Sequence, residues 1–163
     1  MKIPFLEWIA IPEPYKAYGR ELGNARQDRA EKLGLTPPFE GGLDEMRENH
    51  IIGAQAEVLV AMKMGTELPE DGPPRSYDLV GRSGSLIEVK CSRHDLRLRI
   101  NKKWVDKMKG PPPDIVVGCA HDRRNDRFKV LGWIRFPDAI QAARLNTSLK
   151  SPAYVMGVSQ LTR

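Results

Sequence analysis

The chain has 163 residues, 40% of them hydrophobic and 29% charged, which suits one domain able to bury a core without disulfides or structural metals. No apolar stretch approaches the roughly 18 residues needed to cross a bilayer, so a membrane-spanning role is excluded at the outset. The net charge of +5 is unevenly divided: residues 1–74 hold 8 Lys/Arg against 13 Asp/Glu, and residues 75–163 hold 18 against 8.

The opening stretch MKIPFLEWIAIPEPYK is broken by Pro4 and Glu7 and lacks the sustained apolar segment of a secretory signal, which predicts a cytoplasmic protein. Residues 13–34 are rich in helix formers and close on Gly34, predicting a helix, and the Pro/Gly-rich LTPPFEGG at 35–42 breaks regular structure. The division is therefore an N-terminal helical appendage at 1–42 and a globular domain at 43–163. From Leu43 to Met64, the apolar positions Ile51, Ile52, Val58, Leu59, Ala61 and Met62 predict a helix packed on a sheet. Glu57 lies among them, with small neighbours Gly53, Ala54 and Ala61 at helical spacing, so something could approach the helix closely there. A solvated Glu at the edge of the stripe is the alternative.

Two short apolar runs near 77–81 and 85–91 flank Gly81-Arg82-Ser83-Gly84-Ser85 and predict a hairpin. A third strand at Leu96–Ile100 would place Leu96, Leu98 and Ile100 on one face and Arg97 and Arg99 on the other. Residues 101–109 predict a short helix with Trp104, Val105 and Met108 inward, stopped by Gly110 and the prolines after it. The continuous apolar run at 114–120 predicts a strand covered on both faces, and HDRRND a polar turn. A strand at 127–136, a helix at 137–145 with Pro at its start and a last strand at 153–161 complete an α/β fold with a mixed central sheet.

The hairpin carries charge inside segments that otherwise look built for a sheet. Asp78 precedes Leu79-Val80, and Glu88 and Lys90 bracket Val89. An acid two positions before a Lys is by itself expected on the order of once in a chain of this composition; its place on the second strand, after Asp78 on the first and a helix bearing Glu57, is the informative part. Glu88 and Lys90 share a strand face because side chains two apart point the same way.

In these residues the chain resembles the PD-(D/E)xK nuclease superfamily, the restriction-endonuclease-like fold, over roughly residues 44–120, and its small phage-encoded or resolvase-like members in overall look. The resemblance implies an αβββαβ core with the mixed sheet flanked by helices, Asp78 as the first motif acid, Glu88 and Lys90 as the (D/E)xK element, and Glu57 as the acid many members carry on the first helix. Tyr77, not Pro, precedes Asp78, a departure from the literal motif that removes no ligand. Implied with it are Mg²⁺, with Mn²⁺ able to substitute, held by Asp78, Glu88, the Val89 carbonyl and Glu57 directly or through water. Also implied is an electrostatic role for Lys90 beside the attacking water. The expected activity is hydrolysis of DNA phosphodiester bonds, with a homodimer possible by analogy of fold. A carboxylate set of this kind suits a hard, oxygen-seeking cation.

The basic half adds a second expectation. Lys90 to Lys109 holds 8 basic residues and 2 acidic ones, and Arg93, Arg97, Arg99, Lys102, Lys103 and Lys107 could line a phosphate track beside the site. A solvated basic face is the plain alternative. No zinc finger or helix-turn-helix is evident, which predicts weakly selective or structure-selective recognition. Three rival readings remain: a zinc site from Cys91, His94, Cys119 and His121, against buried free thiols; a binding or assembly protein that keeps a nuclease fold without catalysis; and an enzyme of another class, for which no phosphate-binding Gly loop or G-x-S-x-G is present. His50 reads as a helix-surface residue, with a contact to DNA as the alternative.

Overall fold

The computed structural model describes residues 7–35, 42–73, 75–93, 95–149 and 151–162. Most of the predicted break at 35–42, and His94, lie outside the described residues. The elements are α1 (Glu13–Lys32), α2 (Gly42–Met64), β1 (Leu79–Val80), β2 (Leu86–Ser92), β3 (Arg97–Asn101), α3 (Lys102–Asp106), β4 (Ile115–Asp122), β5 (Arg127–Arg135), α4 (Phe136–Ala142), β6 (Arg144–Asn146) and β7 (Ala153–Gly157), with a closing 3₁₀ turn at Val158–Gln160. No helix among the described residues is long and apolar enough to cross a membrane.

The fold is mixed α/β. Four strands form a mixed sheet in the order β1-β2-β4-β5, in which β2 runs parallel to β4 and the outer pairs are antiparallel. The strand expected third in the central sheet instead pairs with β7, which also carries β6, in a separate three-stranded antiparallel sheet. Its alternation explains the move. Leu98 and Ile100 are fully buried in a cluster with Val116, Leu131 and Met156, so β3 closes over the main sheet as a second layer. Leu96, expected to point inward, precedes the strand and is exposed. The helix expected through residue 145 ends at Ala142: Ala143 is extended and the next three residues pair with β7. Likewise α3 is shorter than the predicted 101–109 and is started by Asn101, whose side-chain oxygen accepts from the Trp104 N–H at 3.3 Å.

Both faces of the main sheet are covered. Ile87, Val89, Val117, Cys119 and Val130 pack with α2 residues Ile52, Ala56, Leu59 and Val60, while Val116, Ala120, Leu131 and Ile134 face the second sheet and α4. The outer edge of β5 is tied off by short bridges from both ends of the chain, Ile9 to Phe128 and Thr162 to Trp133. Gly132 permits the second of these: at φ 144° a side chain there would be strained, and a Cβ would meet the Thr162 carbonyl oxygen at 2.6 Å.

The N-terminal helix is stitched to the rest. Ile11 joins the core cluster, and α1 lies along α2 through Gly19, Leu22, Gly23 and Ala30. The close approach anticipated at Gly53 is made from the other side: a Cβ on Gly53 would meet nothing within 4 Å, whereas one on Gly23 would sit 2.4 Å from the Ile51 Cα. Glycines of α1 thus set the helix separation. Gly23→Ala should lower stability by roughly 1–3 kcal/mol by forcing the helices apart. Chemical denaturation checks this, and a change under about 0.5 kcal/mol, as at an ordinary surface position, would count against it.

Candidate functional site

The hairpin brings the predicted acids together. Leu79 pairs with Ile87 and Val80 with Leu86, which leaves Asp78 just ahead of β1, alongside the strand that carries Glu88 and Lys90. Two hydrogen bonds fix the pairing: the Asp78 N–H donates to the Ile87 carbonyl at 2.8 Å, and the Val89 N–H donates to Asp78 Oδ2 at 2.8 Å. Asp78 is therefore oriented by the backbone of the very strand that carries Glu88 and Lys90.

Because Ile87 and Val89 face α2, Glu88 and Lys90 project from the opposite face of β2. There Lys90 Nζ donates to Glu88 Oε1 and lies 4.5 Å from the centre of the Trp104 ring. Trp104 is in turn held edge-on against Phe136, with centroids 6.0 Å apart. The short helix α3 thus supplies the floor beneath Lys90, a role for Trp104 that hydrophobic patterning alone would assign to the core.

Glu57 is also buried, but it is held from α1. Arg26 forms a two-pronged pair with it, Nη1 to Oε1 at 2.5 Å and Nη2 to Oε2 at 2.7 Å. The sequence reading passed over Arg26. Its signal lay in its position one turn after Gly23 and two after Gly19, the face on which α1 comes close enough to α2 for a side chain to reach across.

Charge in this confined place shifts the titration of its members. Burial, reinforced by the Asp78 carboxylate, pushes Glu57 up to about 7, partly offset by Arg26 and Lys90. Burial likewise pushes Glu88 up to about 8 against the pull of Lys90. For Lys90, burial opposes the charge, but Glu88, Asp78 and Glu57 outweigh it and hold the ammonium above its ordinary value. The site therefore keeps its cation and binds its carboxylate protons tightly.

Among the described residues, no group of three or more His, Cys, Asp or Glu side chains is gathered closely enough to hold a metal ion alone. Both oxygens of Glu57 are engaged by Arg26. What remains is the Asp78/Glu88 pair, two hard oxygen donors. It fits a cation such as Mg²⁺, which typically takes one or two carboxylates and completes its shell with water and substrate phosphate. Of the zinc candidates, Cys91 and Cys119 are free thiols that burial pushes up, Cys91 to about 12 and Cys119 well above its ordinary value, and His121 is hydrogen-bonded to Asp126 at 3.1 Å. His94 lies outside the described residues.

The six predicted phosphate-contacting residues separate into three groups. The Arg93 side chain is only 9% exposed, pairing with Glu48 at 2.8 Å and Asn49 at 2.5 Å on α2. Arg99 is paired with Asp95 and Lys102 with Asp106. Arg97 stands apart, in a groove of the second sheet with Arg144 and Asn146. Lys103 and Lys107 share a groove of about 410 Å³ with Arg75, Lys109 and Trp104, and no acid lines it. Arg75 and Lys109 are thus the additions that folding makes to the basic track.

The raised carboxyls give the metal-free protein a distinctive pH dependence. A carboxyl whose pKa is higher folded than unfolded contributes stability that is complete below its ordinary value near 4.5 and is lost as pH rises through the folded value. In EDTA, stability should therefore fall between about pH 4.5 and about 8, by an amount on the order of 1–3 kcal/mol. Glu88→Gln should flatten that slope. Urea unfolding across this range checks it, and stability that rises with pH would contradict the assignment.

Comparison with protein-family models and with curated proteins returns no match for this chain.

Proposed function

We propose that the protein is a Mg²⁺-dependent DNA phosphodiesterase built on a restriction-endonuclease-like PD-(D/E)xK core. The observation that carries the reading is the convergence of two acids on the hairpin: Asp78 accepts from the Val89 N–H, next to Glu88, and Lys90 lies on the same strand face as Glu88 and donates to it. In this reading Asp78, Glu88 and the Val89 carbonyl hold the cation, which when bound lowers the pKa of a water and neutralises charge on the phosphate oxygens. Glu57, clamped by Arg26, reaches the cation's shell through water and adds negative field.

Lys90 orients the attacking water and stabilises the charge that develops on the phosphoryl oxygens. The face of Trp104 keeps its ammonium in place when Glu88 turns to the cation. The groove of Arg75, Lys103, Lys107 and Lys109 takes the phosphate backbone leading to the site, positioning the strand without reading its bases. A cut in both strands from one site per chain would call for a second copy.

With Mg²⁺ or Mn²⁺, cleavage of at least one form in a panel of supercoiled, linear, single-stranded and branched DNA is expected, abolished by EDTA and reduced at least about 10²-fold in Lys90→Ala and Asp78→Ala. Survival of every substrate while DNA binding persists would leave the alternative, a non-catalytic binding protein on a nuclease fold. In titrations at several salt concentrations, Lys103→Ala and Lys107→Ala should each reduce the salt slope of DNA binding by about 1. Arg93→Ala should instead leave the slope unchanged and lower thermal stability, because its charge is spent on α2. Equal effects of all three on DNA affinity would refute this division of labour.

A further inference from the structure

Asp78 also lines a second cleft, of about 270 Å³, distinct from the lysine groove but sharing Arg75 with it. Its walls come from α1, α2 and the loop before β1, and they differ from the groove in both charge and shape. Arg26 and Arg29 line it but are already matched by Glu57 and Asp71. Glu70 and Asp78 add two further acids, leaving Arg75 as its cation without an ion pair among the described residues. A run of phosphates would be repelled by such a balance, whereas in the lysine groove it would meet four cations and no acid.

The rest of the lining is apolar or aromatic. Ala30, Leu33, Leu35 and Pro73 line it together with Tyr77, whose ring lies 5.9 Å from the Arg75 guanidinium carbon. Exposed leucines at 65% and 53% at this point, Leu33 and Leu35, are costly to leave in water without an occupant. His50 also lines the cleft, and burial, with the charges of Arg26 and Arg47, lowers its pKa and favours the neutral ring, which offers both a donor and an acceptor. The volume is near the lower end of the roughly 300–1,000 Å³ of small-molecule sites. A flat, uncharged heterocycle with hydrogen-bonding edges suits these walls, and Arg75, which lines both the cleft and the groove, is placed for the phosphate beside it.

We infer that this cleft is a subsite for one unpaired nucleoside next to the scissile phosphate, so that the preferred substrate is a strand end or an unpaired tail rather than continuous duplex. The inference rests on the phosphodiesterase reading for its connection to cleavage, and the cleft's own ligand chemistry stands apart from it. It also gives α1 a role, as the wall that limits the site to a single nucleotide.

Gly72 provides the test. It lines the cleft, and a Cβ added there meets only the Arg75 side chain, at 3.7 Å, so a bulky residue can be introduced at ordinary contact distance. Wild type and Gly72→Trp are compared on a closed hairpin-ended duplex and on the same duplex with unpaired tails, and in NMR titrations with deoxyadenosine 5′-monophosphate. The expected result is at least tenfold higher kcat/KM on tailed DNA for wild type, lost in Gly72→Trp mainly through KM, and nucleotide-induced shifts at Tyr77 and Leu33 that the variant lacks. Equal cleavage of both substrates by both proteins, with no nucleotide-induced shifts, overturns the subsite while leaving the phosphodiesterase reading intact. If wild type cuts nothing, that reading fails and the titration alone decides the cleft: binding that Gly72→Trp removes supports it, and no binding overturns it. Should Gly72→Trp melt far below wild type, Leu33→Glu, at an exposed position, takes its place with the same expected losses.

Discussion

The register of one short hairpin governs the rest of this molecule. With Leu79 paired to Ile87 and the Val89 N–H donating to Asp78, the carboxylates of Asp78 and Glu88 come together beside a buried strand. Like charges at cross-strand distance repel, and burial raises the cost further. Each surrounding feature of the site answers that problem: the Val89 N–H on Asp78, the Lys90 ammonium on Glu88, the indole under Lys90 and the Arg26 clamp on Glu57. A slip of one residue would turn Glu88 and Lys90 into the apolar face against α2, so the hydrophobic pattern of β2 protects the site as well as the core.

The second constraint is the separation of two helices. Arg26 can reach Glu57 because α1 carries glycine where it crosses α2, and the same approach makes one wall of the cleft beside Asp78. Glycine inside a helix sacrifices about 0.5–1 kcal/mol of propensity, and at Gly19 and Gly23 this is exchanged for contact that a larger residue would forbid. Fold and site are therefore coupled through α1, which sequence composition alone presents as an appendage.

What could be read from the sequence follows from which interactions are local. Both long helices, the hairpin and the strands at 115–122 and 127–135 were legible because periodicity and turn residues act within a few positions. Asp78, Glu88 and Lys90 were legible for the same reason, since one hairpin carries all three. The departure of β3 into a second sheet was not, because alternation in LRLRI marks a strand with one buried face and says nothing of which sheet supplies the partner. Neither was β6, whose pairing with β7 overrides the helix-forming residues just before it. Arg26 and Trp104 are seen only after distant elements are packed, and the sorting of the basic residues is long-range too: Arg93 and Lys107 look alike in the sequence, yet one is consumed by Glu48 and the other faces an open groove.

The energetics of the acid cluster bear on why it exists. Glu57 and Glu88 are each about 4% exposed, and taking such groups out of water without full compensation is among the more expensive things a fold can do. Apolar residues of similar size at buried ion-pair positions are often neutral or stabilising, so packing gives no reason for a chain with an otherwise ordinary core to keep acids at 57, 78 and 88. The raised titration of Glu57 and Glu88 means that in the metal-free protein these two tend to hold protons they would give up in water. A divalent cation, if the proposed function holds, would reverse that balance, because it would reward the ionised form that the fold penalises. The instability would then be local, placed where a ligand could relieve it, on a sheet covered on both faces that fixes where the carboxyls stand.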